Sequence, residues 1–240
     1  MTIPIFIVVY NRVWCLKRCF RAIRTTAPRQ PVVFIDNGSD YAECKQWLEK
    51  RKKQGFTVYH FPKIKGRSGL IKSIQDAVAL WVKSNGKVPY YVVTDPDVEL
   101  CNPKLRWLQS MKRVLRKHPG IDCVGPSLDI SDIPNYYPLK RQVIRQEKKF
   151  WNSESRVRGR TPFFKSRIDT TFGMYRGTYV KRGVTRKSAR LCRPFIAKHL
   201  DWYINPAKMT KDQVHYLNAK RGLTHYGGQS LKDQIHRIHL

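Results

Sequence analysis

Four short apolar runs, each followed by a polar cluster, divide the first hundred residues. Residues 3–9 (IPIFIVV), 31–35 (PVVFI), 56–61 and 89–94 (PYYVVT) are rich in β-formers. Continuous apolar runs, unlike alternating ones, belong to strands covered on both faces. Helical patterns lie between them. Residues 12–25 carry Val13, Leu16, Cys19, Phe20 and Ile23 at helical spacing, and residues 41–53 are helical and charged. Leu70, Ile71, Ile74, Ala77, Val78 and Trp81 mark a longer amphipathic helix. The order β-α-β-α-β-α-β demands a mostly parallel sheet with helices on both faces and right-handed crossovers. Ligands of such sheets bind beyond the carboxyl ends of the strands. Those ends carry Tyr10-Asn11-Arg12, Asp36-Asn37-Gly38, Lys65-Gly66-Arg67 and Asp95-Pro96-Asp97. The four clusters are expected on one rim.

The second half is less regular. Residues 103–117 read as a helix, 122–131 as a short strand and turn, and 139–151 as a basic helix. Residues 152–163 read as a loop and 167–175 as a strand. Asp40 in DNGSD is placed to cap the second helix. Thr210 with Gln213 forms a capping-box pattern opening a helix over 211–220. No linker rich in Gly, Pro or Ser divides the chain, so one domain over 1–240 is expected, with an irregular C-terminal half. No apolar stretch is long enough to span a bilayer. The apolar N-terminus lacks the basic segment and cleavage site of a signal peptide and reads as a first strand.

The chain holds 47 Lys and Arg but 17 Asp and Glu, a formal charge of +30. That implies attraction to polyanions without choosing among them. Against this excess, Asp95 and Asp97 stand one residue apart at the end of a buried strand. Two carboxylates so close repel unless something neutralises them. A divalent cation bound together with a phosphate group is one answer, since hard cations take carboxylate oxygens. A turn in which either aspartate caps the following helix is the other. The six cysteines show no zinc-type spacing and read as buried free thiols of a reducing compartment.

Five ordered segments resemble a known family. VVYNR after strand one, IDNGSD after strand two, TDPD after strand four, IDTTFGMYR at 168–176 and HLDWY at 199–203 are similar to nucleotide-sugar glycosyltransferases of GT-A fold, family 2-like. Small single-domain members from bacterial capsule clusters and large algal DNA viruses are the nearest in kind. The resemblance covers most of residues 1–205. It implies a nucleotide-sugar-binding half at 1–100 and an acceptor half at 101–240. It implies that Tyr10, Asn11 and Arg12 line the nucleotide pocket and that Asp36, beside Asn37, accepts a hydrogen bond from uracil. Arg67 would meet the diphosphate or the base edge. Asp95 and Asp97, aimed by Pro96, would hold Mn²⁺ or Mg²⁺, with Asp97 the direct ligand. His199 is a further metal ligand, a diphosphate contact or a packed ring. An inverting transfer also needs a general base. Asp169 is the first choice and Asp201 the second, while an ion pair with Arg167 or Arg176 is the other use of Asp169. Trp202 and Tyr203 are core aromatics or a sugar platform.

The implied partners are a UDP-sugar donor and a glycan or glycoprotein acceptor, an acidic one being suggested by the charge. Viral members make capsid glycosylation one setting, in a cytoplasm that would then be the host's. Two departures stand out. There is no QxxRW-type helix of processive synthases, and KIKGRSG lacks an asparagine-led pattern. Two rivals remain open. A nucleotidyltransferase would carry glycines after strand one, where VYNRVWCL has none. A basic nucleic-acid-binding protein has no use for paired acids on a sheet rim. Nucleic acid is therefore not the expected partner. A peripheral membrane contact is compatible with the charge.

Overall fold

The computed structural model describes residues 1–63, 66–151, 156–168, 172–177, 187–219, 225–226 and 229–230, with the backbone alone at 66, 67, 219, 225, 226, 229 and 230. Strands β1 (Ile5–Val9), β2 (Val32–Asp36), β3 (Thr57–His60) and β4 (Tyr90–Thr94) alternate with helices α1 (Val13–Thr26), α2 (Ala42–Lys53) and α3 (Gly66–Asn85). They pair in parallel in the order β3-β2-β1-β4. This is the expected α/β arrangement. The continuous apolar runs have two coats because each pleat points successive side chains to opposite faces. Ile5, Ile7 and Val9 pack with Leu16, Cys19, Ile23 and Leu48 under α1 and α2. Phe6, Val8 and Val33 pack with Ala77, Val78 and Trp81 under α3. Burying each such side chain contributes about 1.5–3 kcal/mol.

Beyond β4 the sheet turns mixed. β5 (Val98–Leu100) follows at once, then α4 (Trp107–Lys117), β6 (Cys123–Leu128) and α5 (Lys140–Glu147). β7 (Arg156–Val157), β8 (Phe163–Lys165), β9 (Phe172–Arg176) and β10 (Ser188–His199) complete it. β9 lies antiparallel between β4 and β6, while β10 runs parallel to β6 and antiparallel to β8. Three expectations change. The basic helix ends at Glu147 and continues as a 3-10 turn over Lys148–Trp151. The expected loop at 152–163 contains β7 and the start of β8. β10 has no counterpart in the sequence reading, because buried Arg190, paired with buried Glu147 at 2.8 Å, interrupts its apolar run. Pro194 adds to the disguise. It sits where the register with β6 shifts between Leu191 and Ile196, the kind of site that tolerates proline in a sheet.

Candidate functional site

Parallel register aligns the carboxyl ends of three strands. Val9 lies opposite Asp36 and Ile7 opposite Thr94, so the segments after β1, β2 and β4 leave the sheet side by side. No helix follows the DPD turn, so a helix cap is not its role. β5 follows instead and pairs with the end of β10, Val98 against His199. The Leu200 N–H donates to the Asp97 carbonyl at 2.7 Å. A 3-10 turn over Leu200–Tyr203 then carries Asp201 back toward Asp97. This backbone link, between residues a hundred positions apart, builds the site.

One cluster results. Arg12 Nη1 donates to Asp97 Oδ2 at 2.8 Å, and Arg12 Nη2 pairs with Asp201. His199 Nε2 lies 3.4 Å from Asp97 Oδ2. Ligand atoms of Asp97, His199 and Asp201 all fall within 4.8 Å of one another. Asp97, Asp201 and Arg12 are buried, and the His199 ring stacks on Trp202 with centroids 5.0 Å apart. Burial pushes the Asp97 carboxyl up, but His199 and the Arg12 guanidinium outweigh it and hold the group below the usual carboxylate range. Trp202 is wholly buried, which makes it core and not a platform. Tyr203 is half-buried and its hydroxyl meets Asp132. Asp95 lies outside the convergent set.

A helix missed as part of the site covers this cluster. In α6 (Lys211–Ala219) the Tyr216 ring lies under Arg12, with the guanidinium 4.6 Å from its centroid. One turn earlier, Asp212 accepts the N–H of Trp14 at 2.8 Å. It therefore caps the first turn of α1 from another element. Residues four apart share a helix face, so Asp212 and Tyr216 meet α1 and the cluster from the same side of α6. That box is half formed by the Thr210 N–H donating to Gln213 at 2.8 Å. Between α6 and the cluster lies a cavity of about 10 Å³, lined by Arg12, Cys15, Asp201, Asp212 and Tyr216 among others. It has room for about one water.

The rest of the rim is held by polar contacts. Asn11 is fully buried at φ 59°, a conformation asparagine tolerates better than most. Its side-chain oxygen accepts the N–H groups of Asp40 and Tyr41 at 2.8 and 2.9 Å, and its amide donates to Asp40. Asn11, not Asp40, thus closes the turn into α2. Asp36 accepts the Ser39 N–H at 3.0 Å and meets His60 Nδ1 at 3.0 Å. The neighbouring Asn37 Oδ1 is buried with no hydrogen-bond partner among the described residues. At Gly38, φ +77°, a Cβ would come 2.6 Å from the Lys63 backbone nitrogen, so only glycine lets these loops touch. Lys63 there hydrogen-bonds Tyr10 and lies 3.5 Å from Asp40. Buried Pro96 sits within the DPD turn. The side chain of Arg67 and all of Asp169 lie outside the described residues.

All six cysteines are free. Burial raises the Cys15 thiol to about 11 despite Arg12 beside it, and raises the Cys19 thiol as well. Neither supplies a thiolate nucleophile.

The donor set suits a divalent cation. It joins two carboxylates and an imidazole, and Asp97 Oδ1 is buried with no hydrogen-bond partner among the described residues. An imidazole ligand favours Mn²⁺ over Mg²⁺, which prefers oxygen alone. Arg12 now serves the same acids as their counter-charge.

Comparison with known proteins agrees with the fold. Residues 5–187 match the profile of glycosyl transferase family 2. Two uncharacterized proteins of Acanthamoeba polyphaga mimivirus, L137 and L142, are each 24% identical over 136 residues, 55% of this chain. The match covers 18% and 27% of their lengths, so the chain spans less than a third of either relative. Among solved structures, the Pyrobaculum calidifontis mannosyltransferase PcManGT, in complex with GDP-Man and Mn²⁺, is 13% identical. It covers 98% of this chain, with 68% of its own length matched and a TM-score of 0.46. S. aureus TarS 1-349 with UDP-GlcNAc is 14% identical over 57% of this chain and 38% of its own, with a TM-score of 0.39.

Proposed function

The chain belongs to glycosyl transferase family 2, and we propose that it moves one sugar from a UDP-sugar to a hydroxyl of a glycan or glycoprotein, with inversion. The convergence of Asp97, His199 and Asp201 at the rim of the parallel strands carries this reading. In it these three residues hold Mn²⁺ or Mg²⁺. Such a cation supplies Lewis-acid stabilisation of the departing diphosphate. Arg12, released from the acid pair, turns its charge to the same diphosphate. Asp36 and Asn37 face the uracil. Both Asp36 oxygens already have partners, so the open Asn37 amide is the better contact.

The acceptor hydroxyl attacks the anomeric carbon and gives its proton to a base. Asp201 is one of the three groups that would hold the cation, and a neighbouring positive charge lowers its basicity. Asp169 therefore keeps the role of base, and Asp201 becomes a ligand.

Calorimetric titration of UDP, with Mn²⁺ and with EDTA, tests the reading on wild type, Asp97→Asn and His199→Ala. Metal-dependent binding that both variants lose supports it. Equal binding with EDTA refutes the metal role. A nucleoside triphosphate consumed in place of any UDP-sugar would point to a nucleotidyltransferase.

A further inference from the structure

The largest unexplained feature of the molecule is its charge, and one face concentrates it. Residues 139–168 hold ten Lys and Arg against two Glu. The only acid there among the described residues, Glu147, is buried against buried Arg190 at 2.8 Å and offers nothing to the surface. Arg141, Arg145, Lys148, Lys149 and Arg156 are all exposed, as is Arg193, which is paired with Asp129 at 2.9 Å.

Contacts join these residues into one surface. The 3-10 turn after α5 lies on the sheet, with Trp151 5.9 Å from Phe164 of β8 and the Arg193 guanidinium 5.4 Å from the Trp151 centroid. Arg190 lies 4.1 Å from the Phe150 centroid. Arg156, opposite Phe164 in the register, hydrogen-bonds Cys192. The face therefore spans α5, the turn, the edge strands β7 and β8 and the middle of β10. It is one end of the sheet, and β10 leads from it to His199. Arg193 and His199 are six residues apart, roughly 20 Å along a strand.

We propose that this face docks the protein peripherally on a membrane surface rich in anionic lipid. Two observations favour a bilayer over a nucleic acid. The cations are spread over a helix and a sheet edge with half-buried Phe150 and Trp151 among them, the mixture of Lys, Arg and aromatic residues that suits a headgroup layer. Single-stranded nucleic acid needs open ring faces on which bases stack. Here arginines already lie over both rings. No described helix is long and apolar enough to cross a membrane, so the contact is one of surface charge. It would bring the acceptor half against a lipid-borne acceptor.

The test is co-sedimentation of the full chain with vesicles of phosphatidylcholine alone and with about 30% phosphatidylserine. Binding is expected to the second only, and to vanish as salt rises to about 0.5 M. Each basic residue near such a surface is worth about a fivefold change in affinity. The triple variant Arg145→Glu, Lys148→Glu, Lys149→Glu should lose at least about a hundredfold. A control, Lys45→Glu, Lys50→Glu, Lys52→Glu on α2, makes the same change of charge elsewhere and should bind nearly as wild type. Equal loss in both triples would mean net charge alone and overturn the proposal. So would absence of vesicle binding alongside tight RNA binding. Circular dichroism and UDP titration on both triples establish that they fold, independently of the lipid result.

Discussion

The Arg12→Met variant isolates the central electrostatic claim. In the wild type one guanidinium bridges Asp97 and Asp201, both buried, with ligand atoms within 4.8 Å, and offsets one of their two charges. Methionine keeps much of the volume and removes the charge. Two carboxylates at that separation repel by about 3.5 kcal/mol at an effective dielectric of about 20. Breaking a buried pair by removing one partner costs about 3–5 kcal/mol, which agrees. For a chain of this size each kcal/mol moves the melting point by about 2–4 °C, so the metal-free variant should melt roughly 10 °C lower. Mn²⁺ should then restore much of the loss, because the acid pair has lost its guanidinium and ligand binding adds stability by mass action. Differential scanning fluorimetry, with EDTA and with Mn²⁺, reads both effects. The reasoning fails if the variant melts like the wild type in EDTA. It fails equally if Mn²⁺ raises both melting points by the same amount, since Arg12 and the cation would then not compete for the same acids.

Three further outcomes are expected. Asp212→Ala removes the cap that α6 gives α1 and should cost about 1–2 kcal/mol in urea denaturation, with faster amide exchange in the first turn of α1. The Asp40 carboxyl is lowered to about 2, chiefly by the hydrogen bond from His215, with Asn11 and Lys63 adding to it against the opposing effect of burial. Its contribution is full above the ordinary carboxyl pKa of 3.8 and is lost as pH falls toward about 2, so in that window wild type should lose more stability than Asp40→Asn. Burial raises Cys44 and Cys123 to about 12, so a thiol reagent at neutral pH should label half-exposed Cys101 well before either, as peptide mapping would read.

The strand ends could be read from sequence because parallel pairing fixes which ends meet. Continuous runs such as IFIVV and YYVVT leave little choice of face or partner. The acids at the end of β4 and the HLDWY segment could each be found. Their meeting could not, because it depends on β5 pairing with β10 across a hundred residues. β10 itself was hidden by a buried arginine whose partner, Glu147, lies 43 positions away. Tyr216 was missed for a related reason. Nothing local tells a tyrosine on a short polar helix that it lies beneath a guanidinium from the other end of the chain. Local pattern records what a residue does to its own element. Ion pairs between distant elements leave no period to read.

The charge of +30 and the acid cluster act over different ranges. Arg12 with Asp97 and Asp201 sums to one negative charge in a strongly positive chain. At physiological ionic strength the Debye length is about 8 Å, so the surface cations act on an approaching anion only near contact and fade as salt rises. The buried pairs are screened much less. An anionic donor should therefore arrive faster at low salt and leave at a rate that salt hardly changes. Stopped-flow binding of UDP at several salt concentrations separates the two. A dissociation rate that climbs as steeply as the association rate falls would mean that surface cations hold the ligand, and the buried cluster would lose its claim to be the site.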